Sequence, residues 1–352
     1  MSARLAAVAA STPARLAAAA AAGGLAAVLL ARLRSAAVPQ CEECAPPDAD
    51  DVDGWLALAH RERLAQKLTP SQSFFRVLAI VVYEFENELR HVVGHNDEAC
   101  CLLNSCCGER AAFLQLAGRA GVSVRACYIT TDAPYPVTSG ALCREYMLSQ
   151  SWLTKPEMPV VTEGGDGRRY TRTLAELYPY ASPYTRLDSA EQLAFGKVAA
   201  PAARAAMERA AGTPAGVAWR AATEAAARLA AAGDALHPLS FGAAAVLADG
   251  RVVAAAQRKA LEYGCSQDAV CQLLALIDDR GSAPAVVAHC DQFALCHAPF
   301  APARALLVEG GFGDAVVLCH AGRGDGAPEE VKAEALLPAL PLIPKLGGAS
   351  TP

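Results

Sequence analysis

Residues 106–112, Cys-Cys-Gly-Glu-Arg-Ala-Ala, place a thiol and a carboxylate two positions apart at the start of a predicted helix. Behind them Ala112, Phe113, Leu116 and Ala120 recur at helical spacing, so Cys107 and Glu109 fall where backbone N–H groups have no intrahelical partner. That position lowers the pKa of a thiol and suits a thiolate metal ligand. Glu109 is then within reach of a metal-bound water without being a ligand itself. A Cys-x-Glu also has a plain reading as a buried cysteine beside a helix-start glutamate, so the surrounding spacing has to decide.

Upstream, Asn96-Asp97-Glu98 follows a strand-like run over 75–82 and its hairpin, with Asn96 eleven residues before Cys107. Downstream come a second strand over 122–130, a Pro-rich loop over 134–140, and Cys143-Arg144-Glu145 opening another helix; residues 173–180 read Thr-Leu-Ala-Glu-Leu-Tyr-Pro-Tyr. This ordered set resembles the cytidine deaminase family, whose pattern runs Phe-x-Val-Gly-Ala, Asn-x-Glu, Cys-Ala-Glu-Arg, Pro-Cys-x-x-Cys-Arg-Gln and Leu-x-x-Leu-Leu-Pro. The resemblance spans roughly residues 55–185, and its combination of motifs is specific.

The resemblance implies hydrolytic deamination of cytidine or deoxycytidine at a zinc ion, Zn2+, with Cys107 and Cys143 as metal ligands and Glu109 as the catalytic proton carrier. Asn96 and Glu98 would bind the ribose hydroxyls of a small pyrimidine nucleoside, Phe75 would line the pocket, and Arg110 would support the thiolates. It also implies a homodimer. One position departs from the pattern: three residues before Cys143 stands Gly140, which has no side chain, so only two of three expected thiolates remain. A catalytic zinc takes three protein ligands plus water. Cys106 should point away, Cys127 lies mid-strand, and Ser139 or Asp132 would be an unusual substitute, which leaves the third ligand open. Two function classes follow: a deaminase, and a deaminase-like pseudoenzyme that binds nucleosides or a partner protein.

Around this site stand 352 residues, 53% hydrophobic and 19% charged, enough for about two domains. A net charge of −5 offers no general attraction to nucleic acid, whose binding rests on basic patches, so a polymer substrate is not expected. The 13 cysteines form no regular framework and the motif needs thiolates, which indicates a reducing compartment.

Residues 1–38 are Ala-rich, carry arginines and no acid, and have the composition of a transit peptide for a mitochondrion or plastid; a membrane anchor or secretory signal and a disordered Ala-rich tail on a cytoplasmic protein are the other readings. Residues 39–53 form an acidic linker whose Cys41 and Cys44 read as incidental thiols. A cytidine deaminase-like domain over 54–189 and a helical connector over 190–235 lead to a degenerate second copy over 236–345. Phe241 aligns with Val77 at an offset of 164, falling to 161 beyond the first hairpin. Asn96 then meets Gln257, Glu98 meets Lys259, Cys107 meets Asp268 and Glu109 meets Val270, so every chemical position is replaced. His289-Cys290 and Cys296-His297 read as the rim of a vestigial pocket, and one short helix is expected after Pro328. The fold class is α/β, with tandem cytidine-deaminase-like domains, each a mixed β-sheet sandwiched by helices.

Overall fold

The computed structural model describes residues 47–67, 69–99, 105–233, 238–277, 282–320 and 326–339. The targeting segment over 1–38, Cys41 and Cys44, and the tail beyond 339 lie outside the described residues. Among the described residues no helix is long and apolar enough to cross a membrane.

Helix α1 (Val52–Ala65) is capped by Asp51, whose side chain accepts from Gly54 N at 2.8 Å. Five strands follow: β1 (Val77–Phe85), β2 (Glu88–His95), β3 (Ser123–Thr131), β4 (Pro159–Glu163) and β5 (Arg169–Thr173), in the order β2-β1-β3-β4-β5. Only β3 and β4 run parallel. Their crossover carries α3 (Ala141–Ser149), while α2 (Gly108–Leu114) joins β2 to β3. The β1–β2 turn is Glu86-Asn87, both with positive φ, which matches the twist of a two-residue hairpin.

Strand β1 is apolar on both faces because both are covered. Leu78, Ile80 and Val82 pack under Trp55 and Leu56 of α1, while Ala79 and Val81 pack under Phe113 of α2 and Met147 of α3. Each strand end is therefore fixed from two sides, and the helix starts that carry Cys107 and Cys143 sit over one face.

After α4 (Leu174–Leu177), two long helices, α5 (Ser189–Arg209) and α6 (Pro214–Ala231), lead into a second set of strands. These are β6 (Phe241–Leu247), β7 (Val252–Ala256), β8 (Pro284–Asp291), β9 (Val316–Cys319) and β10 (Glu329–Lys332). Their order, β10-β9-β8-β6-β7, repeats the first sheet, and again only the crossover pair is parallel. Helix α7 (Ala269–Ile277) takes the place of α2, and α8 (Ala301–Glu309) that of α3.

The repeat holds at fine detail. A register irregularity falls between Val82 and Tyr83 in the first copy and between Val246 and Leu247 in the second, at the expected offset of 164. An isolated bridge joins Asp97 to Cys106 and another joins Arg258 to Gln267, at the expected offset of 161. The connector helix α6 covers β6 as α1 covers β1; Trp55 and Trp219, also 164 apart, are both buried there. After Pro328 the chain forms β10 and a 3₁₀ turn (Ala333–Leu336) in place of the single helix expected. Val331 turns into the core while Glu329, Glu330 and Lys332 stay exposed, an edge strand whose charges mask its periodicity.

The two copies are joined reciprocally. Arg144 of α3 is buried; its guanidinium donates to Ser139 O (2.7 Å) and Leu177 O (2.8 Å) in its own copy and to Pro338 O (2.6 Å) and Ala339 O (2.8 Å) in the other. Arg304 of α8, also buried, does the converse. It donates to Pro299 O (2.7 Å) and Leu336 O (2.9 Å) in its own copy and to Pro179 O (2.7 Å) and Tyr180 O (3.1 Å) in the first. Tyr180 and Ala339 both take positive φ as the chain turns onto the opposite arginine. Ser182, Tyr184, Asp291 and His297 add a buried polar chain between the copies: Ser182 Oγ lies 2.9 Å from His297 Nδ1, and the Tyr184 hydroxyl donates to Asp291 Oδ2 at 2.5 Å.

Candidate active site

Cys107 is the N-cap residue of α2, and its side chain makes no capping bond. Cys143 sits in the first turn of α3, whose N-cap is Gly140. With Glu109 these two cysteines form a cluster in which the sulfur and carboxylate atoms all lie within 4.8 Å of one another. It is the one group of three such side chains that comes together among the described residues. Glu109 and Cys143 are buried and Cys107 is half-buried.

The electrostatics are asymmetric. Cys107 titrates below an ordinary thiol, because the Cys143 thiol hydrogen-bonds to it and Arg110 lies beside it; burial and the Glu109 charge only partly oppose this. The same hydrogen bond, with burial and the charge of Glu109, pushes Cys143 well up. Burial raises the pKa of Glu109, offset in part by hydrogen bonds from its own backbone N–H and from the Ser139 and Cys143 side chains. A carboxyl raised in this way is suited to taking up and releasing a proton. Arg110 keeps a pKa above its ordinary value although burial works against it, because Cys143, Cys107 and Cys106 surround it. Its Nη2 donates to Ser105 O at 2.9 Å.

The Asn-x-Glu segment is tied to this centre by backbone. Asp97 N donates to Cys106 O and Cys106 N to Asp97 O, both at 2.8 Å, which closes the eleven-residue spacing between Asn96 and Cys107. The Asn96 side chain bridges backbone at both ends, accepting from Val77 N and donating to Phe75 O, each at 2.8 Å. Glu98 accepts from Ser73 N (2.7 Å), Gln72 N (3.1 Å) and Ser73 Oγ (2.5 Å). Burial would raise its pKa, and these bonds hold it below the ordinary value. Phe75 is buried against Ala133 and Val137 of the loop that leads to α3. The helix starts that carry Cys107 and Cys143, the Asn-x-Glu segment and Phe75 are therefore joined around the end of β1.

Two of the substitutes considered for the third ligand are committed elsewhere. Asp132 is bound by Arg63 and by Arg76, whose Nε lies 3.0 Å away. Cys106 directs its thiol toward the Cys107 carbonyl at 3.6 Å. Cys127 is buried mid-strand and stands outside the cluster. Ser139 is buried next to Gly140, and its hydroxyl is turned to Glu109.

The donor set suits a zinc ion in chemistry: two thiols and a carboxyl in one buried cluster, beside a cation that favours the thiolates. It is one thiolate short of three.

Two positioning residues were missed in the sequence. Gly94 of β2 sits where a Cβ would lie 2.2 Å from Gly108 O and 2.3 Å from Ala112 N, so a glycine lets α2 rest directly on the sheet. Arg144 follows Cys143 and was read only as part of a motif, although it anchors α3 to both copies. A lone glycine and a lone arginine carry no periodic signal.

The corresponding place in the second copy is filled. Asp268, at the position of Cys107, accepts from Val270 N (2.7 Å) and Cys271 N (3.0 Å) and caps α7. Val270 replaces the carboxylate and is buried. Phe300, at the position of Gly140, sets its ring against Phe241 and His289. His289, Cys290, Cys296 and His297 are completely enclosed, so they form the plug and not the rim of the vestigial pocket. Gln257 keeps one role of its counterpart Asn96, accepting from the backbone of the first strand at 3.4 Å.

No protein-family model and no curated protein matches the chain. Among solved structures, the chain is similar to a cytidine deaminase from Burkholderia pseudomallei (23% identity, 36% of this chain and 96% of that one, TM-score 0.32). It is similar also to cytidine deaminases from Mycobacterium tuberculosis (25% identity, 35% and 94%, TM-score 0.29) and Mycobacterium leprae (24% identity, 34% and 97%, TM-score 0.28).

Proposed function

We propose that the first copy is a zinc-dependent deaminase site that hydrolyses cytidine or deoxycytidine to the uracil nucleoside. The observation that carries this reading is the convergence of Cys107, Cys143 and Glu109 in one buried cluster. Zinc held by the two cysteines would supply an acidified water. Glu109 then takes the proton of the attacking water and delivers it to ring N3; the amino group leaves C4 as ammonia after a second proton passes through the same carboxyl. Asn96 and Glu98 orient the ribose, with Phe75 as a wall. Arg110 offsets the thiolate charge. The net charge of −5 favours a free nucleoside over a polymer. Assembly as a homodimer and delivery to an organelle by residues 1–38 belong to the same proposal.

The test is zinc per chain by elemental analysis, with cytidine turnover in the same preparation. Wild type is expected to bind about one zinc and form uridine; Cys107→Ala loses both, and Glu109→Gln keeps the metal while turnover falls roughly 10²–10⁴-fold. A chain with neither zinc nor turnover refutes the enzymatic reading. Gly140 favours a second reading, a nucleoside-binding pseudoenzyme, which the same preparation separates by showing cytidine binding without uridine.

A further inference from the structure

The turn between β4 and β5 reaches back to the loop that leads into α3. Gly165 N donates to Ala133 O at 3.0 Å and Asp166 N to Pro134 O at 2.8 Å, so the start of that loop is held by backbone from another part of the sheet. The approach is this close because residue 164 is glycine. A Cβ there would lie 2.3 Å from Tyr135 C, 2.5 Å from Tyr135 Cα and 2.6 Å from Pro134 O, all of them backbone atoms. Gly164 does not take a positive φ, so the demand for glycine is one of space and not of backbone conformation. At Gly165 an added Cβ would meet nothing nearer than Ala133 O at 3.5 Å, an ordinary contact. Asp166 closes the turn from its outer side, its carboxylate accepting from Arg168 N (2.9 Å) and Arg168 Nε (2.7 Å).

The loop held in this way is the one on which Phe75 rests: Phe75, Ala133 and Val137 form one buried cluster with Tyr135 packed against it. The second copy grips the corresponding loop by other means. From the end of β9, His320 N donates to Cys296 O at 2.9 Å and the His320 ring accepts from Cys296 N at 2.8 Å. Cys296 corresponds to Pro136, as Phe300 does to Gly140, so the grip has moved along the loop toward the helix. There Cys296 and His297 are completely enclosed. The place where the fourth strand of each copy takes hold thus differs between the copy that keeps the chemical residues and the copy that is plugged.

We infer that Gly164 is a positioning residue of the nucleoside pocket: by letting the β4–β5 turn close on Tyr135 it fixes the loop behind Phe75, and with it the wall offered to the pyrimidine ring. It touches no reacting atom and acts through Tyr135 and Phe75. The inference rests on the reading in which Phe75 lines a nucleoside pocket. The residues of the chemical step are held elsewhere, Cys107 and Glu109 at the start of α2 and Cys143 on α3, which Arg144 ties to Leu177 O at 2.8 Å.

Alanine at 164 forces the loop back by 3.4 − 2.3 = 1.1 Å to reach ordinary contact. In the full chain, Gly164→Ala should raise the KM for cytidine roughly 10–100-fold, the scale for a misplacement of about 1 Å, while kcat and zinc per chain hold. Gly165→Ala, in the same turn, should match wild type. Asp166→Ala loosens the turn at an exposed position without adding bulk, and should raise KM by a smaller factor. An unchanged KM in Gly164→Ala overturns the inference, as does a joint fall of kcat and zinc with KM unmoved, which is the mark of general damage. Should Gly164→Ala not fold, Asp166→Ala decides, and an unchanged KM there overturns the inference. If wild type binds cytidine without turnover, its Kd by calorimetry takes the place of KM throughout. A wild type that neither binds nor converts cytidine overturns the nucleoside reading itself.

Discussion

Replacing Gly94 by alanine tests whether the contact between β2 and α2 sets the geometry of the site. The added Cβ would stand 2.2 Å from Gly108 O and 2.3 Å from Ala112 N, and both obstacles are backbone. Ordinary contact begins at 3.4 Å, so the start of α2 must retreat by 3.4 − 2.2 = 1.2 Å or β2 must bend away. Cys107 and Glu109 ride on that helix start, and a functional cluster tolerates displacements of only about 0.5 Å. Overpacking of this kind costs about 1–3 kcal/mol, and rigid backbone on both sides puts Gly94→Ala at the upper end. Thermal melting should show a fall of roughly 2–4 °C per kcal/mol, the scale for units of 150–250 residues. Metal content at limiting zinc should fall in parallel. Gly212→Ala is the control, because its added Cβ meets nothing within 4 Å. If Gly94→Ala melts and binds metal like Gly212→Ala, the close approach does not position the site.

Arg144→Ala strands Ser139 O, Leu177 O and Pro338 O without their shared donor, and should cost at least about 1–3 kcal/mol in urea unfolding. Arg304→Ala should cost a similar amount, and a loss below about 1 kcal/mol for either would remove it from the list of anchors. Glu145 is half-buried between the copies, accepting from the Tyr178 hydroxyl at 2.6 Å and Ala301 N at 3.2 Å, and desolvation raises its pKa above the ordinary 4.5. A carboxyl raised by folding is favourable when protonated, so stability drops as pH climbs from 4.5 through the folded value. Relative to wild type, Glu145→Gln should therefore gain in urea midpoint between pH 4.5 and pH 7, and an unchanged difference would refute the assignment.

Much of this architecture is legible in the sequence because chemistry and hydrogen bonding fix spacings. The eleven residues from Asn96 to Cys107 are closed by the Asp97–Cys106 bridge, and the same bridge at Arg258–Gln267 keeps the second copy in step after its side chains have changed. The hairpins and the motif helices follow from such local patterns. Strand β10 was missed because three of its four residues face water and carry charge. The burial of His289, Cys290, Cys296 and His297 was missed because Phe300 and Phe241 come from different elements, and their closure over the pocket is long-range. Arg144 and Arg304 escaped for the same reason, since their carbonyl partners lie as far as 195 residues away along the chain.

The reciprocal arginines also bear on which changes the chain can tolerate. A frameshift or truncation that removed residues 338 and 339 would delete no side chain of the candidate site, yet it would take away two acceptors of the guanidinium beside Cys143. One of the two, Ala339 O, is the acceptor of the Thr138 hydroxyl as well. The second half is thus held to its shape by the first: lesions in its tail are felt at the helix that carries Cys143.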